Sequence, residues 1–288
     1  MRARMLLPLL VAACVPADHS LDLGSLQFTF KASHLTTDGI PGNVVQDGWT
    51  ITIQRAVFAL KTVTVGQTGT TGSCSYRGSA EQKNVVFDVR YGNVQTFDGI
   101  EPQACPDVGF VLGPPDNNTV PGAGVTGQDV LAFLEGDASH AYLEMTATQA
   151  DESYAMKLRF ITSGTPSNFG GCRTGTKGVS VLPDKRVPST IAFSADAMFR
   201  DTLGTDAALR FSPYRDADAN HDHVITMDEL DAWPLENAQI YSDGYHFQDG
   251  TTVGTFGQFV RLQMKFAFFF DEDGSCVGDD PGTTEPSP

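Results

Sequence analysis

Apolar and polar residues alternate along much of this chain, and the first clear run is SLQFTFKA, where Leu26, Phe28, Phe30 and Ala32 share one face. Such alternation marks a strand with one side on a core and the other in water. DGWTITIQRAVFALKTVTV extends the theme: Trp49, Ile51 and Ile53 share a face, and β-branched residues continue to Val65. Further strands are predicted at Val85–Tyr91, Asp107–Leu112, His140–Thr148 and Tyr154–Thr162, the last two flanking QADES as a hairpin. KGVSVL and STIAFSAD, near residues 177 and 189, add two more. Clusters of Gly, Pro, Asn and Asp separate these runs. The pattern predicts a mainly β fold: an antiparallel β-sandwich-like domain with short helical insertions and a C-terminal loop region.

Helical periodicity is scarce. In TGQDVLAFLEG, Thr126 stands where a helix N-cap would, Asp129 follows three residues on, and Gly136 ends the segment. TFGQFVRLQMKFAFFF fits two periods. Phe256, Phe259, Val260, Met264 and Ala267 form a helical stripe, yet Val260 to Phe270 also alternate as a strand. Its length and its Gln, Leu, Met and Lys content favour helix for the first half. From Cys276 onward the chain is poor in apolar residues and is expected to be disordered.

Composition narrows the function classes. With 29 Gly and 16 Pro the chain is rich in turns, and its formal charge of −16 would repel a phosphate backbone, which excludes general nucleic-acid binding. The N-terminus, MRARMLLPLLVAAC, has Arg2 and Arg4 ahead of an apolar stretch from Met5 to Ala13, too short to cross a bilayer. Setting Cys14 aside, Cys74, Cys105, Cys172 and Cys276 remain, an even number that reads as two disulfides in an exported protein. Of the three connectivities, Cys74–Cys105 with Cys172–Cys276 is preferred because it staples each half locally.

Candidate chemistry concentrates in DANHDHVITMDEL. Counted from Asp218 as the first of twelve loop positions, Asn220 is third, Asp222 fifth, Val224 seventh, Thr226 ninth and Glu229 twelfth. Alternate short oxygen-bearing side chains turn inward as a loop coils round one cation. The Val224 carbonyl adds a backbone oxygen, and Glu229 closes the cage with two. Ile225 faces the opposite way, as an apolar anchor. The sixth position, usually glycine because the chain there needs a positive φ, is His223, which tolerates it at a cost of about 1 kcal/mol. Pro213 in LRFSPYR argues against a helix before the loop, and Pro234 limits any helix after it.

Other motifs are weaker. Gly122–Gly127 spells GxGxxG but follows PPDNNTVP and reads as a turn into the short helix. Asp271–Gly274 reads as a solvated acidic turn. His221 and His223 could join His246 or His140 on a transition metal, but their loop positions face solvent and they are not read as ligands. The sequence lacks GxSxG, HExxH and a reactive lone thiol, so no hydrolase signature is present. The main reading is a non-enzymatic protein, with an enzyme whose site is assembled from dispersed residues as a further alternative.

Three resemblances follow from these residues. Val11-Ala12-Ala13-Cys14 resembles the lipobox of bacterial lipoproteins, which implies lipidation of Cys14 and, with Val15 rather than aspartate next, an outer-membrane location in the cell envelope. Asp218–Glu229 resembles an EF-hand calcium loop, closer to the lone loops of dockerin-like extracellular proteins than to paired hands, which implies Ca²⁺ on Asp218, Asn220, Asp222, Val224, Thr226 and Glu229. The overall layout resembles a group of bacterial lipoproteins whose β-rich body is similar to that of periplasmic copper-associated MbnP-like proteins; no copper ligand of that group maps onto this chain.

The expected organisation is a leader at 1–14, a tether at 15–22, a β-rich domain at 23–200, a loop-bearing part at 201–276 packed on the same domain, and a tail at 277–288. The expected function is that of a lipid-anchored envelope protein with a structural calcium site, a membrane contact through its lipid and an unidentified protein partner. A copper-handling protein is the alternative.

Overall fold

The computed structural model describes residues 22–65, 79–100, 102, 108–135, 139–161, 167–173, 179–203, 207–238, 253–271 and 274–279. Its first half runs β1 (Gly24–Ala32), a short helix α1 (His34–Asp38), β2 (Thr50–Val65), β3 (Ser79–Asp88), β4 (Asn93–Ile100) and β5 (Val108–Leu112). Next come β6 (Val120–Pro121), α2 (Gly127–Glu135), β7 (Ser139–Gln149), β8 (Glu152–Ile161), β9 (Ser167–Arg173) and β10 (Arg186–Phe193). The last part holds α3 (Ser212–Asp216), β11 (Val224–Thr226), α4 (Met227–Ala232), α5 (Phe256–Lys265), β12 (Phe268–Phe270) and β13 (Gly274–Asp279).

The strands join into one bent sheet in the order β11-β8-β7-β2-β5-β9-β13-β12-β10-β1-β4, with β3 on β2 and β6 on β3. The fold is mainly β and sandwich-like. Three pairings, β1 with β10, β8 with β11 and β3 with β6, are parallel, so the sheet is mixed where an antiparallel one was expected. Parallel partners need a crossover, and each of these pairs is far apart in sequence.

Strand β2 organises the sheet. Thr50–Phe58 pair with β7 and Leu60–Val65 with β5, while Val57–Val65 also pair with β3 on the opposite edge. Irregularities between Ile53 and Arg55 and between Leu60 and Thr62 let it bend from one partner to the next. Its centre is buried on both faces. Ala56, Phe58 and Leu60 enter the main core, where Phe58 packs edge-on against Phe193 and Phe268. Val57 and Ala59 face the other way, onto Val86 and onto Val130 and Phe133 of α2. That explains why AVFAL is continuously apolar where the flanks alternate.

Several expectations need correction. The strand predicted over Val85–Tyr91 stops at Asp88, whose Oδ1 accepts the Arg90 N–H at 3.0 Å and turns Val89–Tyr91 into a 3₁₀ turn. KGVSVL forms no strand in its described part; Val179 and Val181 are simply buried in irregular chain. The chain after Cys276 is not disordered from the start, because β13 reaches Asp279, pairs with β9 and is tied to it by the Cys172–Cys276 disulfide. Strands β4 and β9 went unpredicted. NVQTFDGI and SNFGGCR carry little apolar alternation and owe their conformation to their neighbours. Cys14, Cys74 and Cys105 lie outside the described residues.

Two segments resolve the helix readings. α2 carries the predicted cap: Asp129 Oδ2 accepts the Thr126 N–H at 2.8 Å and its hydroxyl at 2.7 Å. The ambiguous run divides, its first half forming α5 with a capping box between Thr255 and Gln258, its end forming β12.

His140, at the start of β7, is buried; its Nε2 lies 3.3 Å from Ser167 Oγ, and its Nδ1 meets no partner. Burial, with the Arg261 charge nearby, pushes its pKa down to about 4 from 6.5. The folded state therefore keeps this ring neutral where the unfolded chain would protonate it. Its contribution to stability is complete above pH 6.5 and drains as pH falls toward 4, a loss of about 3 kcal/mol. Urea unfolding from about pH 7 to about pH 4.5 should show the wild type losing more stability than His140→Gln. Parallel curves would contradict this.

Candidate metal centre

The loop is held at both ends before any ligand is considered. At its entrance, Pro213 sits in the first turn of α3, where its missing N–H costs nothing. This corrects the expectation that Pro213 excludes a helix. The helix is capped from a distance: Asp47 Oδ2 accepts the Phe211 N–H at 3.0 Å and the Ser212 N–H at 2.6 Å. Tyr214 anchors α3 in the core against Phe199, Phe211 and Phe256, and its hydroxyl donates to the Met198 carbonyl. At the exit, Thr226 and Glu229 form a capping box that starts α4: Glu229 Oε2 accepts both the Thr226 N–H and its hydroxyl at 2.9 Å. Helix α4 ends just before Pro234, as expected.

Between these anchors the chain curls. His221 and His223 both take positive φ, 58° and 62°. The second is the position where the sequence pattern demands a left-handed residue. His223 N–H donates to Asp218 Oδ2 at 3.0 Å, Asp222 N–H to Asn220 Oδ1 at 2.9 Å, and Val224 N–H to Asp222 Oδ1 at 2.8 Å. One oxygen from each of Asp218, Asp222 and Glu229 lies within 4.8 Å of the other two. Asp218 is only 3% exposed, Glu229 is half-buried and Asp222 is exposed.

Asp218 Oδ1 and Glu229 Oε1 are both shut off from water, and neither has a hydrogen-bond partner. Among the described residues no ion pair reaches Asp218, Asp222 or Glu229. A buried carboxylate oxygen without a donor costs several kcal/mol unless something positive sits beside it. The three carboxylates form a cluster that can hold a metal ion, and its donors are all hard oxygens.

Of the six positions singled out in the sequence, Asp218, Asp222 and Glu229 come together. Asn220 turns its amide onto Asp222, with Nδ2 3.2 Å from Asp222 Oδ2, and the Thr226 hydroxyl is engaged by Glu229. Val224 lies on β11, opposite Ala155 of β8. Ile225 is fully buried, as its apolar anchor role requires. Sequence reasoning placed β8 but missed how the loop is supported: by Asp47, by the docking of β11 on β8, and by Tyr154, whose ring stacks on His223 at 4.5 Å. All three contacts join residues remote in sequence, and none has a local signal.

The remaining motifs sit elsewhere. His221 is exposed, and His140 lies at the start of β7, at the opposite end of the β7–β8 hairpin from the first residues of β8 that His223 meets. His246 is outside the described residues. Gly122–Gly127 turns from β6 into α2. Asp271 is more than a solvated residue, since its Oδ1 accepts the Thr190 N–H at 2.7 Å.

Glu229 has two separable roles, cap and charge. Glutamine keeps the cap and removes the charge, whereas alanine removes both. In chelator, so that no metal contributes, Glu229→Ala should be less stable than Glu229→Gln by about 1 kcal/mol in urea unfolding. Equal stabilities would mean that the capping box contributes nothing. No protein-family model, curated protein or solved structure matches this chain, so the centre is defined by its own side chains.

Proposed function

We propose that the protein is a lipid-anchored component of a bacterial cell envelope, non-enzymatic, whose loop Asp218–Glu229 binds Ca²⁺ as a structural ion of the EF-hand-loop kind. The observation that carries the reading is the pair of buried, unpartnered oxygens, Asp218 Oδ1 and Glu229 Oε1, beside the exposed carboxylate of Asp222. Hard oxygen donors with three negative charges suit Ca²⁺ and not the softer copper ion. Asn220, the Val224 carbonyl and Thr226 are the further oxygens such an ion would draw on. The anchoring rests on the lipobox-like Val11–Cys14.

A single loop with three ligand charges should bind with a dissociation constant of about 10⁻⁵ to 10⁻³ M, the range suited to calcium outside a cell. At ~100 times that concentration, binding adds about 2.7 kcal/mol to the stability of the folded state. Isothermal titration with CaCl₂ should give heat of one-site binding, and millimolar calcium should raise the melting temperature. Glu229→Gln should lose both responses. Absence of heat and of any thermal shift in the wild type would reject the calcium site.

The anchor is tested separately. Cells fed a clickable palmitate analogue should label the protein, and Cys14→Ser should remove the label and free the protein from membranes. An unlabelled wild type would overturn the lipoprotein assignment and leave the calcium site untouched.

A further inference from the structure

We infer that cation binding at Asp218–Glu229 controls the docking of β11 on β8, so that the ion sets whether this edge of the sheet is capped; the inference rests on the calcium reading above. The buried Asp218, with its unpartnered Oδ1, provides the pull toward a cation.

His223 links the two events. Its N–H holds Asp218 Oδ2 at 3.0 Å, inside the carboxylate cluster. The carbonyl of the same residue accepts the N–H of Ala155, on the outer edge of β8, at 2.9 Å. Its ring lies flat on Tyr154, with centroids 4.5 Å apart and an angle of 17°, and its Nδ1 is 3.2 Å from the Ser153 carbonyl. A residue held at a φ of 62° keeps these contacts only while the loop stays curled. Loss of the loop's curl therefore removes the cap from the strand.

The capping strand is short. β11 pairs through Val224, Ile225 and Thr226 with Ala155, Met156 and Lys157, and β8 has β7 as its other neighbour. Three residues of parallel pairing and one buried isoleucine form a small unit that can open without the rest of the sheet. When it does, the β8 edge shows unpaired backbone groups of the kind that recruit other strands. An ion bound only by the closed loop makes opening rarer by the factor 1 + [Ca²⁺]/Kd. Calcium-rich surroundings would keep the edge closed, and calcium-poor ones would release it.

Amide hydrogen exchange on the purified protein tests this, with isothermal titration run on the same sample. With calcium at ~100 times its dissociation constant, the Ala155 amide should exchange about 100-fold more slowly than in chelator. Amides of the β2–β5 ladder should not change, and Glu229→Gln should abolish the calcium effect at Ala155. Heat of binding with no change at Ala155 would overturn the coupling and leave the calcium site standing. Equal slowing at every amide would also overturn it, because the ion would then be stabilising the whole fold. No heat at all would remove the calcium reading and the coupling with it.

Discussion

Two carboxylate oxygens held away from water and facing no donor impose the demand around which this part of the protein is arranged. Asp218 is fixed by the end of α3 and by the His223 N–H; Glu229 is fixed by its own capping box with Thr226. Neither can turn outward without breaking the backbone bonds that shape the loop. Folding therefore brings like charges to within 4.8 Å of one another, with Asp222 as the third. Repulsion at that distance, partly out of water, opposes the fold unless a cation offsets it. The same geometry that would be a defect in an empty acidic turn is what a hard divalent ion requires.

The sheet supplies the platform. β2, buried on both faces at its centre, holds β7 on one edge, β7 holds β8, and β8 receives the loop through β11. On the other side, Trp49, which directly precedes β2, packs at 4.7 Å against Phe211, the residue that leads into α3. Tyr154 of β8 spans the gap between Trp49 and His223. The aromatic chain ties the core to the entrance of α3 and to the middle of the loop. α4 continues from the loop onto α5, where Arg261 grips Asp231 through both carboxylate oxygens, Nη2 to Oδ2 at 2.6 Å. Gly257 is small because a Cβ there would lie 2.8 Å from the Asp231 backbone nitrogen. The loop is thus one station in a continuous packing path from sheet to C-terminal helix.

Much of this was legible in the chain. Alternation located β1, β7, β8, β10 and the flanks of β2, where one face meets the core, and the loop spacing singled out six positions, of which the fold gathers Asp218, Asp222 and Glu229. Local chemistry also located α2 from its cap residues and α5 from the length and helix-forming content of its run, while the α5 capping box was not read from the sequence. What stayed hidden was non-local. β4 and β9 have weak patterns and exist because stronger strands pair with them. β13 lacks apolar alternation but is held by β9 and by the Cys172–Cys276 bridge. Pro213 was misjudged because a proline disfavours a helix interior but not a first turn. The capping of α3 by Asp47, 164 positions from Phe211, has no sequence signature at all.

A crystal structure of the protein grown in millimolar calcium, with anomalous scattering collected to identify the ion, tests the central claim most directly. The account predicts one calcium peak at about 2.3–2.6 Å from oxygens of Asp218, Asp222 and Glu229, in contact with Asp218 Oδ1 and Glu229 Oε1. Density for water alone at that position, with those two oxygens still facing no cation in saturating calcium, would contradict it.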